Sequence, residues 1–273
     1  MGSSVFELHA LKAAGRPRHG KTMENVWSVE YAGHRVRYSF LVEETHRFFG
    51  PYAAPEEGCE YDLMLPPETL ELARAQLPEE NSDGYNEYVA LIALTARLLL
   101  RYNCCVFHAT TFLYGGRAWL LTGPSGVGKS TQYMNWMKAH PGETRMLCGD
   151  KPVIEKRGDG SVWVHSSPWN GKECLGRKGL SAPIGGVVLL EQGSVNELSP
   201  LPPADSVIPL LRQFLMRPET EEEALSLCGM LDGLLSFAPV WKFTNTGDAA
   251  STEMLREVIM RRANGSSGGG NEV

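Results

Sequence analysis

The chain has 273 residues, of which 42% are hydrophobic and 21% charged, and its formal net charge is −6. This composition is typical of a globular protein with one or two domains. The negative balance disfavours a nucleic-acid binder, and no apolar run reaches the roughly 18 residues of a membrane span. Six cysteines without a C-x-x-C pair, and a beginning without an apolar signal core, favour a cytoplasmic protein with reduced thiols.

Residues 1–84 are predicted to form a small β-rich N-terminal region. Residues 27–31 and 36–40 alternate between apolar and polar side chains on either side of a short turn, which predicts a hairpin. Prolines 51, 55, 66 and 67 are expected to interrupt regular structure after it. The next helix is predicted over residues 85–101, and apolar side chains around most of its circumference indicate that it is largely buried.

Residues 85–263 are predicted to form an α/β domain, followed by a flexible Gly/Ser-rich tail at 264–273. Two hairpins are expected, the first with Gly115-Gly116 at its turn. The predicted strands are 106–114, 117–122, 145–148, 153–155, 161–165 and 186–190. The predicted helices after the first are 131–139, 203–215, 219–236 and 249–262.

Residues 123–130 read Gly-Pro-Ser-Gly-Val-Gly-Lys-Ser and match the phosphate-binding pattern G-x-x-x-x-G-K-[ST]. Glycines allow backbone angles that turn successive N–H groups toward a phosphate. The lysine supplies charge for the β- and γ-phosphates, the serine hydroxyl can ligate Mg²⁺, and the start of the following helix adds partial positive charge. The predicted nucleotide-binding residues are Gly123, Pro124, Ser125, Gly126, Val127, Gly128, Lys129, Ser130 and Thr131.

Two further residues are candidates for phosphoryl-transfer chemistry, which needs a carboxylate near the metal and a group that activates the acceptor. Asp150 follows the predicted strand 145–148, so a helix and a returning strand should bring it beside Lys129. His108 lies on a predicted hairpin arm, on the face shared with Thr110 and Phe112, and could orient the γ-phosphate or relay a proton. The alternatives are a strand-end turn for Asp150 and a hydrogen-bonded structural role for His108.

The stretch 167–172 reads Ser-Pro-Trp-Asn-Gly-Lys and is a candidate substrate loop. Trp169 offers a flat apolar surface, Asn170 offers donors and acceptors, and Lys172 and Arg177 offer charge. We predict that these four residues contact an acceptor or the transferring phosphate. The alternative is an exposed basic loop without a ligand.

Together these landmarks resemble the catalytic domain of HPr kinase/phosphorylase, in the phosphoenolpyruvate-carboxykinase-like branch of P-loop proteins. They are most similar to HPr-kinase-like proteins of bacterial peptide-maturation systems. The similarity covers roughly residues 85–245. Its motifs are His108-Ala109-Thr110, residues 123–131, Asp150-Lys151-Pro152, residues 168–172, and residues 188–193 leading to Asn196.

The resemblance implies a P-loop core with a mixed sheet of the HPr kinase C-terminal domain type, and ATP and Mg²⁺ as cofactors. It implies that Lys129 and Ser130 hold phosphate and metal. Asp150 would be the general base or a metal ligand, and His108 would assist at the γ-phosphate. One departure is that the family has two adjacent aspartates where this chain has Gly149-Asp150.

The sequence therefore predicts a cytoplasmic, ATP- and Mg²⁺-dependent kinase. Its acceptor would be a hydroxyl on a seryl or threonyl residue of a peptide or protein, or on a serine-like small molecule. One alternative is a catalytically weak, nucleotide-binding partner in a peptide-modification system, which the missing second aspartate favours. Another is an ATPase or GTPase switch, although no N-K-x-D guanine-reading pattern occurs. A homo-oligomer is possible by analogy with the hexameric HPr kinases.

Overall fold

The computed structural model describes residues 26–171 and 176–265. Its first sheet has the strand order β1 (Val26–Tyr31), β2 (His34–Ser39) and β3 (Tyr61–Met64). Strands β1 and β2 form the predicted antiparallel hairpin, whereas β3 runs parallel to β2. The sheet therefore confirms the hairpin and adds a third strand that the sequence analysis does not predict.

Two helices follow the hairpin, α1 (His46–Phe49) and α2 (Pro67–Gln76). The two prolines at 66 and 67 are predicted to interrupt regular structure, but they begin α2 instead. Proline suits this position because the first helical N–H has no intrahelical partner to lose. The N-terminal region is thus a mixture of strands and helices.

Helix α3 (Asp83–Leu100) is the predicted buried helix and begins two residues earlier than expected. Its N-cap is Ser82, whose hydroxyl accepts a hydrogen bond of 3.2 Å from the Tyr85 N–H. Further along, the buried carboxylate of Glu87 accepts from the N–H groups of Leu41 and Val42 at 2.7 and 3.0 Å. These contacts fix the first turns of α3 against the chain that follows β2.

Nine strands form the second sheet, which is mixed. They are β4 (Cys104–Val106), β5 (Ala109–Tyr114), β6 (Arg117–Thr122), β7 (Arg145–Cys148), β8 (Val153–Lys156), β9 (Val162–His165), β10 (Ser181–Gln192), β11 (Glu197–Pro200) and β12 (Val240–Asn245). The order is β4-β8-β9-β10-β6-β5-β7, and β12 pairs with both β10 and β11. Strand β10 is parallel to β6 and β12, and the other pairs are antiparallel.

Four helices cover the two faces of this sheet: α4 (Lys129–Ala139), α5 (Pro203–Leu211), α6 (Glu221–Phe237) and α7 (Ala249–Gly265). Alternate side chains of β6 enter different cores, because successive residues of a strand point to opposite faces. Leu120 packs in the core that contains residues of α5 and α6, whereas Leu121 packs in the core with α4 and α7. The result is a sheet between two helical layers, as expected for an α/β fold.

The two ends of the predicted α/β domain differ from expectation. The N-terminal sheet shares its core with α3 and with Val106, Val153 and Trp169, so residue 84 does not separate two independent cores. Helix α7 extends to Gly265 and includes the first two residues of the predicted tail. The rest of that tail, 266–273, lies outside the described residues. Within the described ranges, no helix is long and apolar enough to cross a membrane.

The predicted arm 106–114 is divided into β4 and β5, with Phe107 and His108 between them. The division arises because β4 pairs with β8, while β5 pairs with β6 and β7. The backbone N–H of His108 donates to the carbonyl of Gln213 at 2.8 Å instead of to a neighbouring strand. His108 thus lies between two strands and not within the predicted arm, although it and Thr110 line the same cavity.

Candidate functional site

The loop 123–128 joins β6 to α4, so the strand, loop and helix that the phosphate-binding motif requires are all present. Gly123, Gly126 and Gly128 have φ values of 138°, 80° and 100°, which L-residues with side chains rarely adopt. A Cβ atom at Gly123 would also lie 2.8 Å from the carbonyl oxygen of Leu190. Gln192 donates to the Gly126 carbonyl at 3.1 Å, so strand β10 supports the loop from the side.

Lys129 is the first residue of α4, and its ammonium group folds back onto the loop. Its Nζ donates to the carbonyl oxygens of Gly123 and Pro124 at 3.0 and 3.1 Å. The residue is only 8% exposed, and this burial lowers the pKa of Lys129 to about 8, although the charge of Asp150 acts in the opposite direction. The ammonium is thus held inside the curve of the loop, where an incoming phosphate could replace the carbonyls as its partner.

Asp150 lies where the sequence predicts it, just after β7. Strand β7 pairs with β5, which pairs with β6, so three adjacent strands join Asp150 to the phosphate loop. The Ala109 N–H donates to the Asp150 carbonyl at 2.9 Å. The pairing of these three strands therefore places the carboxylate of Asp150 beside the loop.

The Asp150 carboxylate has two cationic or donor neighbours. Nε2 of His108 lies 3.3 Å from Oδ1, and the Lys151 ammonium forms an ion pair with Oδ2. Burial by itself raises the pKa of Asp150, but the hydrogen bond from His108 and the charge of Lys151 outweigh it and hold that pKa well below its usual range. The carboxylate is therefore ionised at neutral pH.

A cavity of about 410 Å³ contains these groups together. The predicted residues that line it are His108, Ser125, Gly126, Gly128, Lys129, Ser130, Thr131 and Asp150. Gly123 and Pro124 instead contribute the carbonyls that hold Lys129, and Val127 packs in the core beneath α4. The structure thus brings the predicted phosphate-binding and catalytic residues to one site.

Four lining residues are absent from the sequence prediction: Tyr85, Thr110, Gly149 and Gly171. The two glycines directly adjoin the predicted residues Asp150 and Asn170, and Thr110 lies two positions after His108, so each has a signal in the same motifs. Tyr85 has no such signal, because only the tertiary packing of α3 brings it to the site. One wall of the cavity therefore comes from the helix that carries the N-terminal core.

Trp169 occupies a different environment from the one predicted. It is 1% exposed, stacks on Tyr31 at a centroid distance of 5.6 Å, and donates from Nε1 to the Tyr88 carbonyl at 3.2 Å. Its ring completes the N-terminal core, because a large aromatic side chain with a satisfied N–H is stable in such a place. The structure therefore does not support the predicted contact between this ring and an acceptor.

Of the other three predicted substrate residues, the structure describes Asn170 and Arg177. Asn170 is 4% exposed and is directed at the backbone next to Asp150, where its Oδ1 accepts from the Gly149 N–H at 3.0 Å. Arg177 is exposed and does not line the cavity. Lys172 lies outside the described residues. Among the described residues, Trp169, Asn170 and Arg177 therefore do not form the predicted substrate site together.

Ser130 and Asp150 are suitable ligands for Mg²⁺. Hydroxyl and carboxylate oxygens are the donors this ion prefers, and it commonly takes only one or two protein ligands beside phosphate oxygens and water. Both residues line the same cavity. In the part of the chain that the structure describes, no group of three or more His, Cys, Asp or Glu side chains could hold a metal by itself. Ser130 and Asp150 are thus the residues of this cavity that could hold Mg²⁺ together with phosphate oxygens.

Comparisons with known proteins leave the family of this chain open. No protein-family model matches the sequence, and no curated protein matches it. Among solved structures, the chain is similar to the Hpr(Ser) kinase/phosphatase from Coxiella burnetii, with 12% sequence identity and a TM-score of 0.34. The match covers 60% of this chain and 99% of that one. A likeness at this level does not assign a family.

Proposed function

We propose that this protein is a kinase that transfers the γ-phosphoryl group of ATP to a hydroxyl. The acceptor would be a seryl or threonyl side chain of a peptide or protein, or a serine-like small molecule. The observation that carries this proposal is that the phosphate loop, Lys129 and the Asp150–His108 pair face one cavity. We further propose a core of the HPr kinase C-terminal domain type, as the sequence motifs imply, and a cytoplasmic location.

In the proposed reaction, the acceptor oxygen forms a bond to Pγ while the bond from Pγ to the bridging oxygen of ADP breaks. The acceptor proton passes to the carboxylate of Asp150, which its neighbours keep ionised. A carboxylate of low pKa is a weak base, which suits a loose transition state in which phosphoryl transfer needs little help from the nucleophile. His108, at 3.3 Å, holds the carboxylate in place.

Lys129 would exchange its two loop carbonyls for the β- and γ-phosphate oxygens when ATP binds. The exchange converts a buried cation with neutral partners into one with anionic partners, which strengthens its electrostatic interactions. Mg²⁺ held by the Ser130 hydroxyl and by phosphate oxygens would neutralise charge on the phosphates, which leaves Asp150 to accept the proton. The backbone N–H groups of the glycine-rich loop would supply the remaining donors.

The test is transfer of label from γ-labelled ATP to free serine and to short seryl and threonyl peptides. Lys129→Met and Asp150→Asn should each reduce transfer by at least about a hundredfold, since each removes a group at the reacting phosphate. Lys138→Met is the matched control, because Lys138 is an exposed lysine on the same helix. The proposal fails if wild type transfers no more label than Lys129→Met.

A second candidate is a catalytically weak nucleotide-binding protein that presents a surface to a partner of a peptide-modification system. It is favoured by one feature of the cavity, where Asp150 is the single carboxylate among the lining residues of the described chain. One carboxylate cannot readily both ligate Mg²⁺ and accept the proton. Submicromolar ATP binding by titration calorimetry, without turnover and with nucleotide-dependent capture of a neighbouring gene's product, would select this candidate over the kinase.

A further inference from the structure

The segment 167–171 joins the N-terminal core to the turn that carries Asp150. At one end, the Trp169 ring is buried in that core, and the Tyr88 hydroxyl donates to the Pro168 carbonyl at 3.0 Å. At the other end, the Lys151 N–H donates to the Trp169 carbonyl at 2.9 Å. The segment is therefore held by the N-terminal core on one side and by Lys151, the residue after Asp150, on the other.

The carboxamide of Asn170 is the centre of this connection. Its Nδ2 donates to the Tyr52 hydroxyl and to the Ser167 carbonyl, and its Oδ1 accepts from the Gly149 N–H at 3.0 Å. Both amide hydrogens and the oxygen are thus engaged within the protein. Since the residue is also 4% exposed, it has no free donor to offer an acceptor molecule.

Two glycines enclose Asn170 so closely that neither could carry a side chain in this arrangement. A Cβ atom at Gly149 would lie 2.2 Å from the Asn170 carbonyl oxygen, and one at Gly176 would lie 1.7 Å from Oδ1. Real Cβ atoms do not make such approaches, so any side chain at Gly149 would displace the segment. Glycine at 149 is thus required by the contact with Asn170.

We propose that Asn170 is a positioning residue for Asp150 rather than a ligand of the acceptor. This inference rests on the proposed function in that Asp150 is taken as the group that acts on the acceptor. Asn170 holds the N–H of Gly149, the residue that precedes Asp150. The sheet holds the carbonyl of the same glycine through the hydrogen bond from Thr110 Oγ1 at 2.9 Å. Removing the Asn170 contact loosens the backbone at Gly149, next to Asp150, and displacements of about 1 Å in a catalytic group can reduce turnover on the order of a hundredfold.

The experiment compares Asn170→Ala with Tyr52→Phe, which removes a different hydrogen bond of the same carboxamide. Amide hydrogen exchange of residues 148–151 and steady-state release of phosphate from Mg²⁺–ATP, with water as acceptor, are measured for each. Asn170→Ala should lose protection at 149–151 and lower kcat about ten- to a hundredfold, with KM for ATP unchanged. Tyr52→Phe should leave both unchanged. Asn170→Asp, which retains an oxygen for the Gly149 N–H but loses the donor to the Ser167 carbonyl, should recover the protection at Gly149 and part of kcat.

The inference is overturned if Asn170→Ala keeps wild-type protection at 149–151, or keeps the wild-type kcat per folded molecule. It is also overturned if Asn170→Asp loses turnover while the Gly149 amide stays protected from hydrogen exchange. This second variant keeps the test decisive where Asn170→Ala does not fold. If wild type releases no phosphate and transfers no label, the proposed kinase fails, but the exchange data still decide whether Asn170 fixes the turn before Asp150.

Discussion

The protonation of Lys129 makes a quantitative prediction about nucleotide binding. Burial lowers the pKa of Lys129 to about 8 in the nucleotide-free protein, and a bound triphosphate would favour the charged form and raise that pKa again. Above pH 8 the protein must therefore take up a proton before the ammonium can pair with phosphate. The dissociation constant for ATP should rise toward tenfold per pH unit, which amounts to about thirtyfold between pH 7 and pH 9.5.

The assay is titration calorimetry of Mg²⁺–ATP at pH 7.0, 8.0, 8.75 and 9.5, in pairs of buffers with different ionisation enthalpies. The buffer dependence should report uptake of nearly one proton per ATP at pH 9.5 and almost none at pH 7. Lys129→Met should bind more weakly at neutral pH but show no uptake in this range. Lys138→Met should retain the wild-type slope, because this exposed lysine has no part in the site.

A wild-type dissociation constant that changes by less than about threefold from pH 7 to pH 9.5 would refute the reasoning, since Lys129 would then either keep its ordinary pKa or not contact phosphate. The free energy of unfolding supplies an independent check, because it should rise with pH over the range in which ATP binding weakens. Because the folded pKa lies below the unfolded value of about 10.5, burying this charge costs about 3 kcal/mol at neutral pH, and the cost disappears as pH rises from 8 to 10.5. The unfolding free energy of nucleotide-free wild type should accordingly rise relative to Lys129→Met over that interval.

Three further substitutions test the packing around the site and the fold. Gly149→Ala should lower the unfolding free energy by about 1–3 kcal/mol in urea, because its Cβ would lie 2.2 Å from the Asn170 carbonyl oxygen; an unchanged midpoint would show that the segment moves freely. Hydrogen bonding to Arg256 lowers the pKa of Glu143 to about 2. Glu143→Gln should therefore lower the melting temperature above about pH 5, by the equivalent of roughly 1 kcal/mol for this partly exposed pair, and the difference from wild type should vanish as pH falls toward 2. Glu87→Ala should cost about 3 kcal/mol, since it leaves two part-buried backbone N–H groups and the buried Thr45 hydroxyl without this acceptor; a loss below about 1 kcal/mol in urea unfolding would contradict this.

The elements that carry the phosphate loop are predictable because their signals are local. The hairpin glycines at 115 and 116, the loop glycines and the capped helices each depend on a few neighbouring residues. Strands β11 and β12 are not predicted, since short strands are recognised mainly through partners that lie far away in the sequence. The same holds for β4, which only its pairing with β8 separates from β5.

The site is predictable to the extent that chain spacing determines it. Asp150 follows from a helix and a returning strand after Lys129, and the structure places it there. Trp169 and Asn170 have structural roles beside the site, in the N-terminal core and at the Gly149 N–H. Residue type alone cannot distinguish a side chain that binds a ligand from one that fixes the backbone. Tyr85 enters the cavity through tertiary packing alone, so no local pattern could reveal it.

Asp150 is supported from two directions, by the second sheet and by the N-terminal core, and this division has a functional consequence. The sheet sets the distance between Asp150 and the phosphate loop, because β7, β5 and β6 are adjacent and β6 leads directly into that loop. The segment 167–171 holds the Gly149 N–H through Asn170, and it is anchored in the N-terminal core through Trp169. Nucleotide affinity should therefore depend on the sheet and on Lys129. The orientation of the carboxylate depends in addition on the N-terminal core, so damage to that core should lower turnover before it weakens ATP binding.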